Sequence, residues 1–153
     1  MDKKYNLYVD DIKTPTADEW VVIRSYKEFK SKVIELGLDN IGYISFGHDL
    51  GETAIKEYND NVSPNYTLNY SNIKEPTGFN CVKWLIEHFY ETHKGYKEEN
   101  ASDKTRSLYF PFPHVYVHSD NPIGAGNIIG YVNNFLMNEK QPKDCVSVSV
   151  EYV

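Results

Sequence analysis

Apolar positions along the chain fall into short runs with two different periods. Tyr5 to Val9, Trp20 to Ile23, Ile41 to Phe46 and His114 to Val117 are compact runs rich in β-branched and aromatic residues, as buried strands are. Val146, Val148, Val150 and Tyr152 instead alternate with Ser147, Ser149 and Glu151, which predicts a strand with one wet face at a sheet edge. Helical spacing appears in Tyr26, Phe29, Val33 and Leu36, in Phe79, Val82, Leu85, Ile86 and Phe89, and in Ile128, Ile129, Val132, Phe135 and Leu136. Ser25 with Glu28 reads as a capping box for the first helix, and Gly37 as its end. Thr77 caps the second. The third is expected after a turn marked by Asn121-Pro122, Gly124 and Gly126.

The order is therefore β, β, α, β, α, β, α, β. Alternation of this kind predicts a single α/β domain over residues 1–153, a three-layer sandwich with a mostly parallel five-stranded sheet and helices on both sides. Two polar inserts interrupt it, at about 52–76 and 93–112. Glu52 to Pro76 is rich in Asn and Tyr without a sustained period, which predicts a lid, a binding loop or disorder. His88 and His93 fall outside their helix's apolar stripe and are expected to be solvated.

Composition narrows the function classes. The formal net charge is -6 and the basic residues are scattered, so no broad nucleic-acid surface is expected. No apolar stretch reaches membrane-spanning length, and Met1 to Tyr5 leads into a strand without an apolar signal region. Cys81 and Cys145 match no metal or redox spacing and read as reduced thiols of a cytoplasmic protein. The Asn-x-Ser/Thr tripeptides at Asn61, Asn65, Asn69 and Asn100 are discounted on the same ground.

Polar clusters recur where strands end. Asp10-Asp11 follows the first strand, Arg24 the second, His48-Asp49 the third and His118-Ser119 the fourth. In a parallel sheet the ligand crevice lies outside these carboxyl ends. Clustered carboxylates favour a cation among them, and oxygen ligands suit Mg²⁺, while nearby imidazoles also allow Mn²⁺. Asp10, Asp11 and Asp49 are the candidate metal ligands. Arg24 offers a planar fork for phosphate, and His118 can exchange a proton near neutral pH. The turn through Gly124 and the helix behind it form either an anion site or a corner whose polar residues satisfy the backbone.

The same residues resemble a known family. Tyr8-Val9-Asp10-Asp11-Ile12-Lys13-Thr14-Pro15, Trp20 with Arg24, and Ile44-Ser45-Phe46-Gly47-His48-Asp49-Leu50-Gly51 are similar to the cyclic-phosphate processing receiver-like domain family. So are Thr77-Gly78 with Lys83-Trp84-Leu85, and His118-Ser119-Asp120-Asn121-Pro122-Ile123-Gly124 with Asn127. The resemblance implies a receiver-like, flavodoxin-like fold whose pocket comprises Asp10, Asp11, Arg24, His48, Asp49, Thr77, His118, Ser119, Asn121 and Asn127. It also implies a cyclic phosphate as ligand. One departure stands out: this chain has Gly47 where the family usually has Asp. The last strand also offers no Lys, so signalling by phosphorylation is not expected.

These readings converge on a metal-assisted phosphoesterase that hydrolyses a cyclic phosphate on a nucleotide or ribose derivative. His118, His48, Asp49 and Asp11 are the expected catalytic groups. Arg24, Thr77, Gly78, Ser119, Asn121, Gly124 and Asn127 are the expected ligand contacts. The alternative is a non-catalytic module that binds a phosphorylated nucleotide ligand or a protein partner through the same pocket.

Overall fold

The computed structural model describes residues 3–93, 110–139 and 148–153. Most of the second polar insert lies outside them, as do Cys145, Val146 and Ser147. Among the described residues five strands form one sheet: β1 (Tyr5–Val9), β2 (Trp20–Ile23), β3 (Ile41–Phe46), β4 (His114–Val117) and β5 (Val150–Tyr152). Every pairing is parallel and the spatial order is β2-β1-β3-β4-β5. This is the order of receiver-like and flavodoxin-like sheets, with β5 at an edge. The register sets Val9 beside Ile23 and Phe46, and Phe46 beside Val117. Asp10, Gly47 and His118, each one residue further on, therefore stand side by side at the carboxyl rim.

Helix α1 (Tyr26–Leu36) starts at Ser25, whose hydroxyl accepts from the Glu28 amide at 3.2 Å. Glu28 does not close the expected box on Ser25; its carboxylate accepts from the Arg24 amide instead, at 3.3 Å. In the insert lie α2 (Glu52–Glu57), a π-helical turn (Tyr58–Val62), the single turn α3 (Ser63–Asn65) and a 3₁₀ turn (Tyr70–Asn72). Helix α4 (Gly78–Thr92) follows a full capping box between Thr77 and Asn80, and α5 (Pro122–Glu139) precedes β5.

One buried cluster joins Leu7, Val9, Ile44, Phe46, Val115 and Val117 of the sheet to Phe29 and Val33 of α1, Leu85 of α4 and Ile128 of α5. Among the described residues the three long helices thus share one face of the sheet, whereas strand–helix alternation predicts helices on both. The handedness rule explains the difference. The steps from β2 to β3, β3 to β4 and β4 to β5 all move the same way across the sheet, so right-handed crossovers lay each helix on one side. The single backward step, β1 to β2, is a loop without a helix. The opposite face carries aromatic rings, with Tyr43 stacked on His114 and on Tyr116.

The insert is folded, contrary to its aperiodic sequence. Gly51 precedes α2 and cannot cap it; the Glu75 carboxylate does so, accepting from the Ala54 amide at 2.7 Å and from the Thr53 hydroxyl. Buried Glu57 accepts from Asn61 Nδ2 at 2.7 Å, the Asn69 amide at 2.8 Å and Asn72 Nδ2 at 2.9 Å. Those bonds, the Asn69 amide first, hold its carboxyl below the ordinary carboxylate range. A polar scaffold replaces the apolar stripe that a sequence reading looks for. Neither helical histidine is freely solvated: His88 stacks on Trp84, and His93 bonds Asp39 at 2.8 Å and stacks on Phe89.

Candidate functional site

A cleft of about 290 Å³ opens at the carboxyl ends of β1, β3 and β4. Asp10, Asp11, Lys13, His48, Asp49 and Ser119 line its sheet side, and Ile55, Tyr58 and Asn59 of the insert line the other. Of the residues singled out from the sequence, Asp10, Asp11, His48, Asp49 and Ser119 reach the cleft wall directly.

At its floor, Asp10 is 7% exposed and fully engaged. Its Oδ1 accepts from the amides of Ile12 at 2.9 Å and Lys13 at 2.7 Å, and its Oδ2 accepts from His118 Nε2 at 2.9 Å. Burial works to raise this carboxyl, but the bonds from His118, Ile12 and Lys13 leave it below its ordinary value. The His118 ring stacks on Tyr8 at 4.2 Å, and its Nδ1 lies 2.7 Å from the hydroxyl of buried Ser45. Gly47 stands beside this pair. A Cβ there would stand 2.9 Å from Asp10 Oδ2 and 3.3 Å from His118 Nε2.

A second imidazole–carboxylate pair stands beside the first. Fully buried His48 places Nδ1 2.6 Å from Asp49 Oδ1, which also accepts from Asn121 Nδ2 at 3.2 Å. His48 Nε2 is 3.0 Å from the Tyr70 hydroxyl, and that hydroxyl accepts from Asn127 Nδ2 at 3.0 Å. Burial raises the Tyr70 hydroxyl above its ordinary pKa, so it keeps its proton. Two glycines allow the packing. A Cβ on Gly124 would meet the His48 ring at 2.3 Å, and one on Gly78 would meet the Gly47 carbonyl oxygen at 1.9 Å. The Gly78 amide instead donates to the His48 carbonyl at 2.8 Å.

Asp11 differs from its neighbours. Burial first, then the charges of Asp10 and Asp49, push its carboxyl above the usual range. A carboxyl raised in this way is suited to serve as a proton donor.

The remaining predicted contacts stand one layer behind the wall. Arg24 spends its guanidinium on the β1–β2 loop, donating to the carbonyls of Lys13 at 2.6 Å and Asp10 at 3.2 Å and to the Thr14 hydroxyl at 2.7 Å. Thr77 caps α4. Helix α5 begins at Pro122, so Gly124 and Gly126 lie within its first turns rather than in a loop before it. Asn121 Oδ1 accepts from the Gly124 amide at 3.0 Å, and Ser119 Oγ accepts from the Asn121 amide at 3.0 Å. The corner satisfies its own backbone.

As arranged, the acids do not fit a resident divalent ion. Both oxygens of Asp10 are taken, Asp49 Oδ1 is shared between His48 and Asn121, and among the described residues no three His, Cys, Asp or Glu groups converge as ligands.

Sequence reasoning missed Lys13, Ile55, Tyr58, Asn59 and Tyr70. Lys13 had a usable signal, since it follows Asp10-Asp11 in the same short motif. For the insert a lid or binding loop is among the readings expected, and Ile55, Tyr58 and Asn59 do line the cleft. Which of its residues would do so was not legible, because their placement depends on Glu57 and Glu75.

The sequence profile of the cyclic-phosphate processing receiver domain matches residues 5–134. The chain belongs to this family. The matched segment carries β1 to β4, both imidazole–carboxylate pairs and the folded insert. No match was found among curated proteins or among solved structures. Among the described residues, no helix is long and apolar enough to cross a membrane.

Proposed function

We propose that the cleft of this cyclic-phosphate processing receiver domain binds a cyclic phosphate on a nucleotide or ribose derivative and opens it by hydrolysis. One observation carries the reading: Asp11 and Asp49 face the same cleft in contrasting environments, Asp11 pushed toward its protonated form and Asp49 held by a buried imidazole. Asp49 is the base that takes a proton from water as the water oxygen bonds to phosphorus. The bond from phosphorus to one ring oxygen breaks, and Asp11 gives that leaving oxygen its proton. A phosphate monoester and a hydroxyl result, and proton exchange with solvent restores both acids. Lys13, a cation in the lining, exchanges its 2.6 Å partner Asp120 for a phosphate oxygen. His118 acts through Asp10, holding that carboxylate in place at the cleft floor by a 2.9 Å hydrogen bond. No step is routed through a metal ion, because the donor set does not fit one as arranged.

The non-catalytic reading has its own support. Both ring nitrogens of His48 and of His118 are engaged, and the guanidinium of Arg24 is spent on a loop. A site so fully satisfied suits a binder. Single-turnover kinetics with a nucleoside 2′,3′-cyclic phosphate decides between them. An enzyme yields the monoester, whereas a binder returns the ring intact while its melting temperature rises.

A further inference from the structure

Tyr70 takes no part in the steps above, yet it reaches the base through one buried ring. It comes from the insert, far from the motif that contains His48 and Asp49. Four side chains form a line in which each proton can be assigned. An ionised carboxylate only accepts, so His48 Nδ1, 2.6 Å from Asp49 Oδ1, carries a hydrogen. Asn127 Nδ2 only donates, so the Tyr70 oxygen accepts from it at 3.0 Å. The hydroxyl's own hydrogen is then left for His48 Nε2, also at 3.0 Å. Along Asn127, Tyr70, His48 and Asp49 every donor has one acceptor.

We propose that Tyr70 is a positioning residue: its hydroxyl fixes His48 as the neutral Nδ1–H tautomer, and His48 so fixed aims Asp49 into the cleft. The inference rests on the reading of Asp49 as the base. Packing leaves the ring little alternative. The Gly124 backbone lies where a Cβ would come within 2.3 Å of the imidazole, and the Tyr70 ring stacks on Phe79 at 5.7 Å with planes 17° apart. The insert supplies the other end of the constraint, since Glu57 bonds the Asn69 amide and the Asn72 side chain on either side of Tyr70. The folded insert thereby becomes part of the catalytic geometry as well as a wall of the cleft.

The test uses ¹⁵N-histidine-labelled full chain without ligand, reading the His48 tautomer from long-range ¹H–¹⁵N correlations, beside single-turnover kinetics with a nucleoside 2′,3′-cyclic phosphate. The parent should show the Nδ1–H pattern. Tyr70→Phe should lose it or mix it with the other tautomer and turn over about tenfold more slowly at similar affinity, the loss expected for one hydrogen bond. Tyr66→Phe, at an exposed tyrosine, should match the parent in both. If Tyr70→Phe does not fold, Asn127→Ala removes the donor to the hydroxyl and is read the same way with a smaller change. A parent in the Nε2–H form, or a folded Tyr70→Phe with the parent's tautomer pattern, overturns the proposal. A parent that opens no cyclic phosphate while Tyr70→Phe still alters the pattern refutes hydrolysis and upholds the control of His48 by Tyr70.

Discussion

His118 Nε2 donates to Asp10 Oδ2 at 2.9 Å, beside the position that a side chain at Gly47 would take. The pair joins the ends of β1 and β4 over the end of β3, so it ties three strands together at the rim. A Cβ there would crowd the Asp10 carboxylate at 2.9 Å and the Val9 carbonyl oxygen at 3.1 Å. Gly47→Ala should therefore force the two apart and destabilise the fold by about 1–3 kcal/mol, the usual range for overpacking. Urea denaturation of parent and variant measures this, and an unchanged midpoint would show that the pair yields without strain.

Acid stability follows from the same contact. Asp10 has its pKa depressed below an ordinary value of 3.8 in the folded state, so the unfolded chain binds more protons as pH falls through that value. The stabilisation is complete above the unfolded pKa and disappears as pH drops through the lower, folded one. Asp10→Asn should remove this component. The parent's melting temperature should fall more steeply than the variant's below about pH 4. Parallel slopes would mean that other acids dominate the acid limb.

The sheet was far more legible in the sequence than the insert. β1 to β4 begin and end where the apolar runs do, because aromatic side chains such as Tyr43 and Tyr116 on the face away from the helices fill the positions between the buried aliphatic ones. The strand-end residues followed directly, since register alone brings Asp10, Gly47 and His118 together. The internal fold of Glu52 to Pro76 was illegible for a physical reason. Its order comes from Glu57 and Glu75 acting as long-range acceptors, and a carboxylate in a polar stretch looks the same whether it caps a helix or faces water. Arg24 and Asn121 illustrate a second limit. Each has the chemistry to bind phosphate, but in the fold backbone carbonyls or a helix cap already hold it.

Removing the insert's anchor should expose its dependence on that anchor. Glu57→Ala leaves the Asn69 amide and two asparagine side chains without their acceptor, costing roughly 1–3 kcal/mol for buried groups left unpaired. Limited proteolysis should then cut first between Tyr58 and Asn72, where the parent resists. Equal cleavage of parent and variant would show that the surrounding packing suffices.

Lys13 should govern affinity rather than rate. Replacing it by Met keeps its length but removes the charge that replaces Asp120 with phosphate. The dissociation constant of a nucleoside cyclic phosphate should rise about tenfold or more, in line with roughly 1.5–3 kcal/mol for a hydrogen bond to a charged group. The parent's affinity should weaken with added salt, and the variant's should respond less. Calorimetry at two ionic strengths checks both, and identical affinities would place the phosphate elsewhere in the cleft.

The most direct test of hydrolysis is the single-turnover rate of Asp49→Asn on a nucleoside 2′,3′-cyclic phosphate. Asn keeps the shape and can still accept from His48, so the cleft should remain folded and occupied. Loss of the base should slow formation of the monoester by roughly two to four orders of magnitude, with affinity little changed. A folded Asp49→Asn that opens the ring at the parent's rate would contradict the account.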